Sequence, residues 1–438
     1  MAITNSIMLV SFLTLIGVLF PLLRTIIQGK KSTAEDITYY IIHAMLFYPI
    51  PELLLTNRQM IPVGNQSIDD MVSQFESGLA SEIISINYLI LLYLVILNLW
   101  LFLKRGKIFS LRLVLENKWI FLIILLNVGL FVNISELIYV FLFVPFLLLG
   151  KFERKQIRYL FKIILFLFIY SSFFLIFLKP ELTIFHDGSW SGIFTNPNGI
   201  VIVANFTLIL LLLGPFFRLK RSKWQYFHIG VLFFMVVMSG SRNGLLTFLS
   251  ILGLYYIYTY RLKLIKSVAI FLSIPGIYLI LSNLNNFDLV SLTSNRILIW
   301  DYVFEEFSSN IFTGLGADFF NLENREKNFP RHLFFATSSY SSFIDYFVFY
   351  GIFGALVITA FMISLFKKTK RINKIFLMFF LLFLLPNLFE SYFRPPNLNL
   401  NNVIFLIALF IINNSKNYSF YESDPSIEKL PVTTKFYY

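Results

Sequence analysis

The sequence predicts an all-α polytopic membrane protein of about 12 or 13 transmembrane helices, and three observations predict it. Residues of the class AVILMFWYC make up 57% of the 438-residue chain and DEKR only 14%, with a mean hydropathy of +0.74. Soluble domains run at about 45–50% apolar and about 25% charged. The surplus here, including 53 Phe and 23 Tyr, exceeds what a water-facing core buries, so lipid must solvate much of the surface. The apolar residues also fall in runs near the ~20 residues that a bilayer requires. Basic residues, finally, collect in every second gap between those runs.

The runs lie at about 5–23, 37–55, 83–103, 119–133, 136–150, 159–178, 199–217, 228–241, 244–260, 267–283, 341–366, 375–393 and 398–413. The pair around Asn133 to Glu136 is short for two spans and reads equally as a tight helical hairpin or a re-entrant element, hence 12 or 13. The first run lacks a basic leader and a small-residue cleavage site, so it reads as a span rather than a signal peptide. Arg24, Lys30 and Lys31 fill one basic gap; Lys104, Arg105, Lys107, Arg112 and Lys118 the next of that set; Lys151, Arg154, Lys155 and Arg158 another. Arg218 to Lys223, Arg261 to Lys266 and Lys367 to Lys374 continue the alternation. The positive-inside rule makes these gaps cytoplasmic. The intervening gaps carry most of the acids, among them Asp69, Asp70, Glu76, Asp187, Glu305 and Glu323, and face outward. The net charge of +12 is therefore mostly topology, and nucleic acid is not an expected partner. On this reading 1–438 is a single transmembrane domain, 283–340 a large extracytoplasmic loop, and 414–438 a cytoplasmic tail.

Composition also excludes chemistry. With no Cys and only four His, thiolate metal sites, disulfides, Fe–S clusters and Cys nucleophiles are ruled out, a multi-His metal cage is not expected, and neither metal nor cofactor is predicted. The cytoplasmic gaps are too short for a nucleotide-binding domain, and no G-x-x-x-x-G-K-[ST] occurs. Within the loop from about 284 to 340, Ile297, Trp300, Val303, Phe304 and Phe307 recur at helical spacing after Ser294, which suits an N-cap. They predict an amphipathic helix on the outer membrane face, which either serves the site or merely covers the bundle.

Ionisable groups near membrane depth are functional candidates by default. Arg242 stands in Ser239-Gly240-Ser241-Arg242 at an outward turn, where the positive-inside rule disfavours it and its planar fork suits phosphate oxygens; the competing reading is a side chain that snorkels to the interface. Arg296 opens the amphipathic helix, Arg331 follows Pro330, and Arg394 occupies another outward turn. Four arginines on the outer side mark a polyanion site. Asp345 and Glu390 lie near the outer ends of late spans, as general bases or as partners of an Arg such as Arg242 or Arg394. His332, beside Arg331, has a side chain suited to base catalysis near neutral pH, with His186 as its competitor. Trp190 and Trp300 fit sugar stacking and interfacial belts equally well.

In their order along residues 190–360 these pieces resemble the bacterial O-antigen ligase and polymerase superfamily. Gly192-Ile193-Phe194-Thr195-Asn196-Pro197-Asn198 is similar to its G-x-F-x-N-P-N segment, and Ser239 to Arg242 to its S-x-S-R turn. Arg296 with Trp300, then Gly314-Leu315-Gly316, resembles the R-x-x-x-W and G-x-G of its large loop. Ser339-Tyr340 followed by Gly351-Ile352-Phe353-Gly354 is similar to the loop exit, although Thr337-Ser338 stand where the family often has His before that Tyr. The resemblance implies a GT-C-like glycosyltransferase using an undecaprenyl-diphosphate oligosaccharide at the outer face of the cytoplasmic membrane, without metal and with inversion. Arg242 and Arg296, with Arg331 and Arg394, would hold the diphosphate, and His332, Asp345 or Glu390 would deprotonate the acceptor. The missing His favours a polymerase of O-antigen, capsule or related repeat units over a ligase. The growing polysaccharide, membrane lipid and a chain-length regulator are the implied partners. A lipid-linked oligosaccharide flippase is the alternative of another class; the gathering of charges on one side favours the enzyme.

Overall fold

The computed structural model describes residues 2–55, 80–105, 111–130, 134–151, 154–178, 180, 183–184, 188–194, 196–214, 224–259, 296–307, 310–334, 336, 338–393 and 399–415. The expected span at 267–283, the N-cap at Ser294, Arg394, His186 and the tail beyond residue 415 lie outside the described residues. Within them the chain is an all-α polytopic membrane protein. The helices are α1 (Ala2–Ile27), α2 (Ala34–Phe47), α3 (Ile50–Leu55), α4 (Ala80–Arg105), α5 (Leu111–Glu116), α6 (Lys118–Leu130), α7 (Ile134–Leu149), α8 (Arg154–Ile164) and α9 (Ser171–Leu178). They continue with α10 (Pro197–Leu212), α11 (Trp224–Met238), α12 (Arg242–Thr259), α13 (Arg296–Phe307), α14 (Leu322–Asn328), α15 (Ser342–Ile372), α16 (Leu377–Phe389) and α17 (Leu400–Ser415). Among the described residues three helical runs are long and apolar enough to cross a bilayer unaided, Ile86–Arg105, Gln156–Leu178 and Ser342–Ile372.

Two expectations are refined. The run at 37–55 is two helices, because Pro49 and Pro51 cannot donate to an α-helical ladder, so α2 caps at Tyr48 and α3 restarts at Ile50. The run at 159–178 contains a π-helical turn at Leu165–Tyr170 between α8 and α9.

The chain divides into two compact units, Met1–Phe248 with Phe393–Ile411, and Leu249–Tyr392 with Ile412–Tyr438. In the first, α10 lies wholly in the core: Ile200 to Leu212 are all buried, including Asn205 and Thr207, whose side chains bond to the Gly244 and Val203 carbonyls. The loops between α1 and α2, after α4, and between α7 and α8 are tied together. Lys151 Nζ pairs with Glu35 at 3.3 Å, its N–H donates to Thr38 Oγ1, Gln156 Nε2 donates to the Glu35 carbonyl, and Arg105 donates to the Leu149 carbonyl. Basic gaps that alternate along the sequence thus meet at one end of this unit, as a positive-inside topology requires.

In the second unit the expected amphipathic helix is present as α13, with Ile299, Val303 and Phe307 buried and Phe304 exposed. Beyond it the chain is ordered through α14, and Tyr302, Phe319 and Phe329 pack ring against ring with centroids 4.8–6.3 Å apart. Helix α15 breaks at Gly351, whose φ of 65° only glycine adopts freely. Residues 311–315 occupy the break: the Leu315 N–H donates to the Val348 carbonyl at 2.6 Å, and the Ile352 N–H donates to the Ile311 carbonyl at 2.9 Å. A Cβ on Gly314 would stand 2.6 Å from the Gly351 nitrogen, and one on Gly351 would collide with the Phe312 carbonyl. Gly314 of the G-x-G and Gly351, 37 residues apart in sequence (351 − 314), are two halves of one backbone joint.

Candidate functional site

The second unit assembles its candidate site around the first residue of α13. The Arg296 guanidinium forms an ion pair with the Glu390 carboxylate and lies 5.6 Å from the centre of the Tyr340 ring. Their side chains are only 19% and 11% exposed, so each charge depends on the other for its solvation. Helix α16 ends at Phe389 and Glu390 continues in extended backbone, just beyond the span rather than within it. Burial pushes the Glu390 carboxyl above the ordinary carboxylate value, and Arg296, by charge and hydrogen bond, pulls it part of the way back. Tyr392, two residues on, has its hydroxyl pushed well above its ordinary value by burial, with the Glu390 charge adding to the shift.

Tyr340 reaches Arg296 through an uncommon backbone: its φ of 54° makes it the one non-glycine residue with positive φ among the described residues. Neighbouring bonds hold it there. Trp300 Nε1 donates to the Ser339 carbonyl at 2.7 Å, and Asp345 Oδ1 accepts from both the N–H and the hydroxyl of Ser339, at 2.9 and 2.7 Å. The Ser342 N–H donates to the Glu390 carbonyl, and the Ser342 hydroxyl to Asn387 Oδ1 at 2.7 Å. Arg296, Trp300, Tyr340, Asp345 and Glu390 are thereby one assembly drawn from α13, the loop exit and the ends of α15 and α16.

The first unit builds its own turn. Ser239 closes α11, its hydroxyl donating to the Val236 carbonyl, while Gly240 turns the chain with a φ of 66°. Ser241 caps α12 by accepting from the Gly244 N–H at 3.2 Å. Arg242 is the first residue of α12 and its side chain is exposed. A cation there opposes the helix macrodipole, so helix stability does not explain it. The preceding loop packs on the same turn, the Trp190 N–H donating to the Met238 carbonyl at 2.9 Å. Gly192, at φ 61°, sits against Ser172, and Asn196 caps α10 ahead of Pro197. A Cβ on Gly244 would run into the Val201 side chain, so the S-x-S-R and N-P-N pieces share a contact between α12 and α10.

Of the residues read from the sequence, the structure joins Arg296 to Glu390, a pairing the sequence reading gave to Arg242 or Arg394. Asp345 holds both the N–H and the hydroxyl of Ser339. Arg331 is exposed on a 3-10 turn that also contains His332, whose side chain is outside the described part. The positioning parts played by Ser339 and Ser342 were missed, since serines in a loop exit carry no periodic signal. Arg325, also missed, donates to the Phe334 carbonyl and lies 5.5 Å from that ring's centre, a packing task.

Comparison with known proteins bears on this geometry. Residues 227–359 match the family model described as O-antigen ligase, a stretch running from α11 into α15. No curated protein matches the chain. The matched stretch contains the S-x-S-R turn, Arg296, Trp300, Tyr340, Asp345 and both halves of the glycine joint. Over this stretch the chain is similar to the O-antigen ligase family, whose members are glycosyltransferase-like enzymes.

Proposed function

We propose that the protein polymerises oligosaccharide repeat units carried on undecaprenyl diphosphate, at the outer face of the bacterial cytoplasmic membrane. The observation that carries the reading is the largely buried ion pair between Arg296, inside the matched stretch, and Glu390, beyond its end. Arg296 presents two planar donors that fit a diphosphate better than a single carboxylate oxygen does. When the donor lipid binds, its diphosphate takes the guanidinium. Glu390 then loses the charge that lowered its proton affinity and becomes a stronger base. The acceptor hydroxyl gives its proton to Glu390 as its oxygen attacks the anomeric carbon. The bond from that carbon to the diphosphate breaks, the electron pair stays on the leaving phosphate oxygen, and Arg296 stabilises the charge that develops there. The product is inverted, and lipid diphosphate is released.

Asp345 is committed to Ser339 and serves to position the loop exit, which favours Glu390 over it as base. Arg242, exposed at the start of α12, is a separate anion contact in its own unit, where the helix N-terminus adds to its field. A ligase that transfers finished polysaccharide to another acceptor is the second reading, favoured by the description of the matched family. Reconstitution with purified lipid-linked repeat units separates them. A ladder of products without added acceptor is the result expected. Product formed only with an exogenous acceptor establishes the ligase, and repeat units moved across the bilayer without any bond formed would defeat both.

A further inference from the structure

The first unit contains a cavity of about 700 Å³ where α1, α2 and α8 meet. It lies at the end where the basic gaps gather, and its rim carries Arg24, Lys30 and Lys31. The backbone puts the lysines there. Gly29, at φ 62°, ends α1, with its own N–H on the Ile26 carbonyl and that of Lys30 on the Thr25 carbonyl, which turns the chain over the cavity mouth. Among the described residues no carboxylate forms an ion pair with these three cations. The one acid on the wall, Asp36, is committed to the capping box of α2, accepting from the N–H and hydroxyl of Thr33. The cavity therefore carries three cations against one carboxylate, which is hydrogen-bonded within its own capping box rather than ion-paired with them.

The rest of the lining says what kind of anion fits. Tyr39 and Tyr159 form an aromatic wall with centroids 6.2 Å apart. His43 also lines the cavity, 6% exposed, with Nε2 at 2.8 Å from the Gly17 carbonyl and Nδ1 without a partner. With Nε2 donating, Nδ1 is an unmet acceptor, and buried polar atoms are rarely left so. It suits a ligand that brings a hydroxyl as well as a charge. On the side of α1, Phe12, Ile16, Phe20 and Leu23 recur at three and four residues as an exposed apolar stripe, and Phe20 itself lines the cavity. A charged mouth that continues into an apolar stripe fits a headgroup with a tail.

We propose that this cavity binds the phosphate head of a membrane lipid at the basic, cytoplasmic end of the first unit, with the lipid chain lying along the exposed stripe of α1. Basic pockets between membrane helices on that side commonly hold anionic headgroups. The same chemistry is offered by a bilayer phospholipid and by an isoprenyl monophosphate, and the test distinguishes them. The full chain in detergent is titrated separately with phosphatidylglycerol, farnesyl monophosphate, diacylglycerol and inorganic phosphate, and retained ligand is counted by native mass spectrometry. One phosphate-headed lipid should be retained and diacylglycerol should not; the better-held phosphate lipid identifies the source. The triple variant Arg24→Gln, Lys30→Gln, Lys31→Gln should weaken it roughly a hundredfold, about fivefold for each charge removed. Neutralising Lys367, Lys370 and Arg371 instead removes equal charge from another basic gap and should leave binding unchanged. Lys31→Gln alone, expected to be about fivefold weaker, serves if the triple variant does not fold. Equal loss from both triples, retention of diacylglycerol, or displacement of the lipid by inorganic phosphate overturns the proposal.

Discussion

The two turns that carry Arg242 and Arg296 are built by opposite means. Around Arg242 the side-chain caps are local: serines cap the two helices that meet there, glycines give clearance to the Trp190 loop and α10 packed on the turn, and the arginine is exposed. Arg296 itself is held across 94 residues, and the arginine is a structural member, largely buried against Glu390 and Tyr340. An arginine on a self-supporting turn can be altered with little cost to the fold. One that shares its burial with a carboxylate cannot, and its function and stability change together.

The largest effect should come from Arg296→Ala, which leaves Glu390 buried without its cation. A loss of about 3–5 kcal/mol is expected, read as a lower unfolding temperature in detergent, together with loss of polymer. The double variant Arg296→Met, Glu390→Leu should recover most of the stability and none of the activity; recovery of activity would show that the pair is structural only. Next is Gly351→Ala, which forces a side chain into φ 65° and against the Phe312 carbonyl, at about 3 kcal/mol with no direct loss of a charged group. Ser339→Ala should cost about 1–3 kcal/mol, since Asp345 keeps the backbone N–H but loses the hydroxyl, and Trp300 fluorescence reports whether the loop exit has loosened. Arg242→Ala is the smallest for stability, within about 0.5 kcal/mol, yet should abolish long-chain polymer. Wild-type polymer length in that variant would remove Arg242 from the mechanism.

Acid titration sharpens the same contrast. The proton affinity of Glu390 is higher in the folded protein than in the unfolded chain, so the folded state holds the proton more tightly. Its contribution to stability is fully present below the ordinary carboxylate value and is lost as pH rises through the folded one. Arg296→Ala removes the influence that pulls the value back and should widen that window. Unfolding temperature followed from acid to neutral pH should fall more steeply in Arg296→Ala than in the wild type, and Glu390→Gln should flatten both curves.

The apolar spans and α13 were legible because burial in lipid and helical period both write themselves into residue spacing; of the five residues at that spacing Val303 and Phe307 are buried, whereas Phe304 is exposed and the third buried residue is Ile299, which the spacing did not include. The site was legible only by residue type. Arg296 and Glu390 were both singled out, yet their 94-residue separation leaves no periodic trace, so the pairing required the fold. Asp345 shows the converse: a carboxylate near a span end reads as a base, and its commitment to a serine six residues earlier depends on the left-handed turn at Tyr340. The Tyr48–Pro49 interruption was present in the sequence as two prolines, hidden by the uniform hydropathy on either side.

The joint between residues 311–315 and the break in α15 is made by backbone atoms. Contacts of that kind place no demand on the chemistry of the side chains that pass through them, only on the absence of a Cβ at Gly314 and Gly351. Ile311, Phe312, Thr313 and Leu315 are thus open to replacement while the joint persists. A region tied down by two bare positions has the latitude to change its side chains without surrendering the backbone joint.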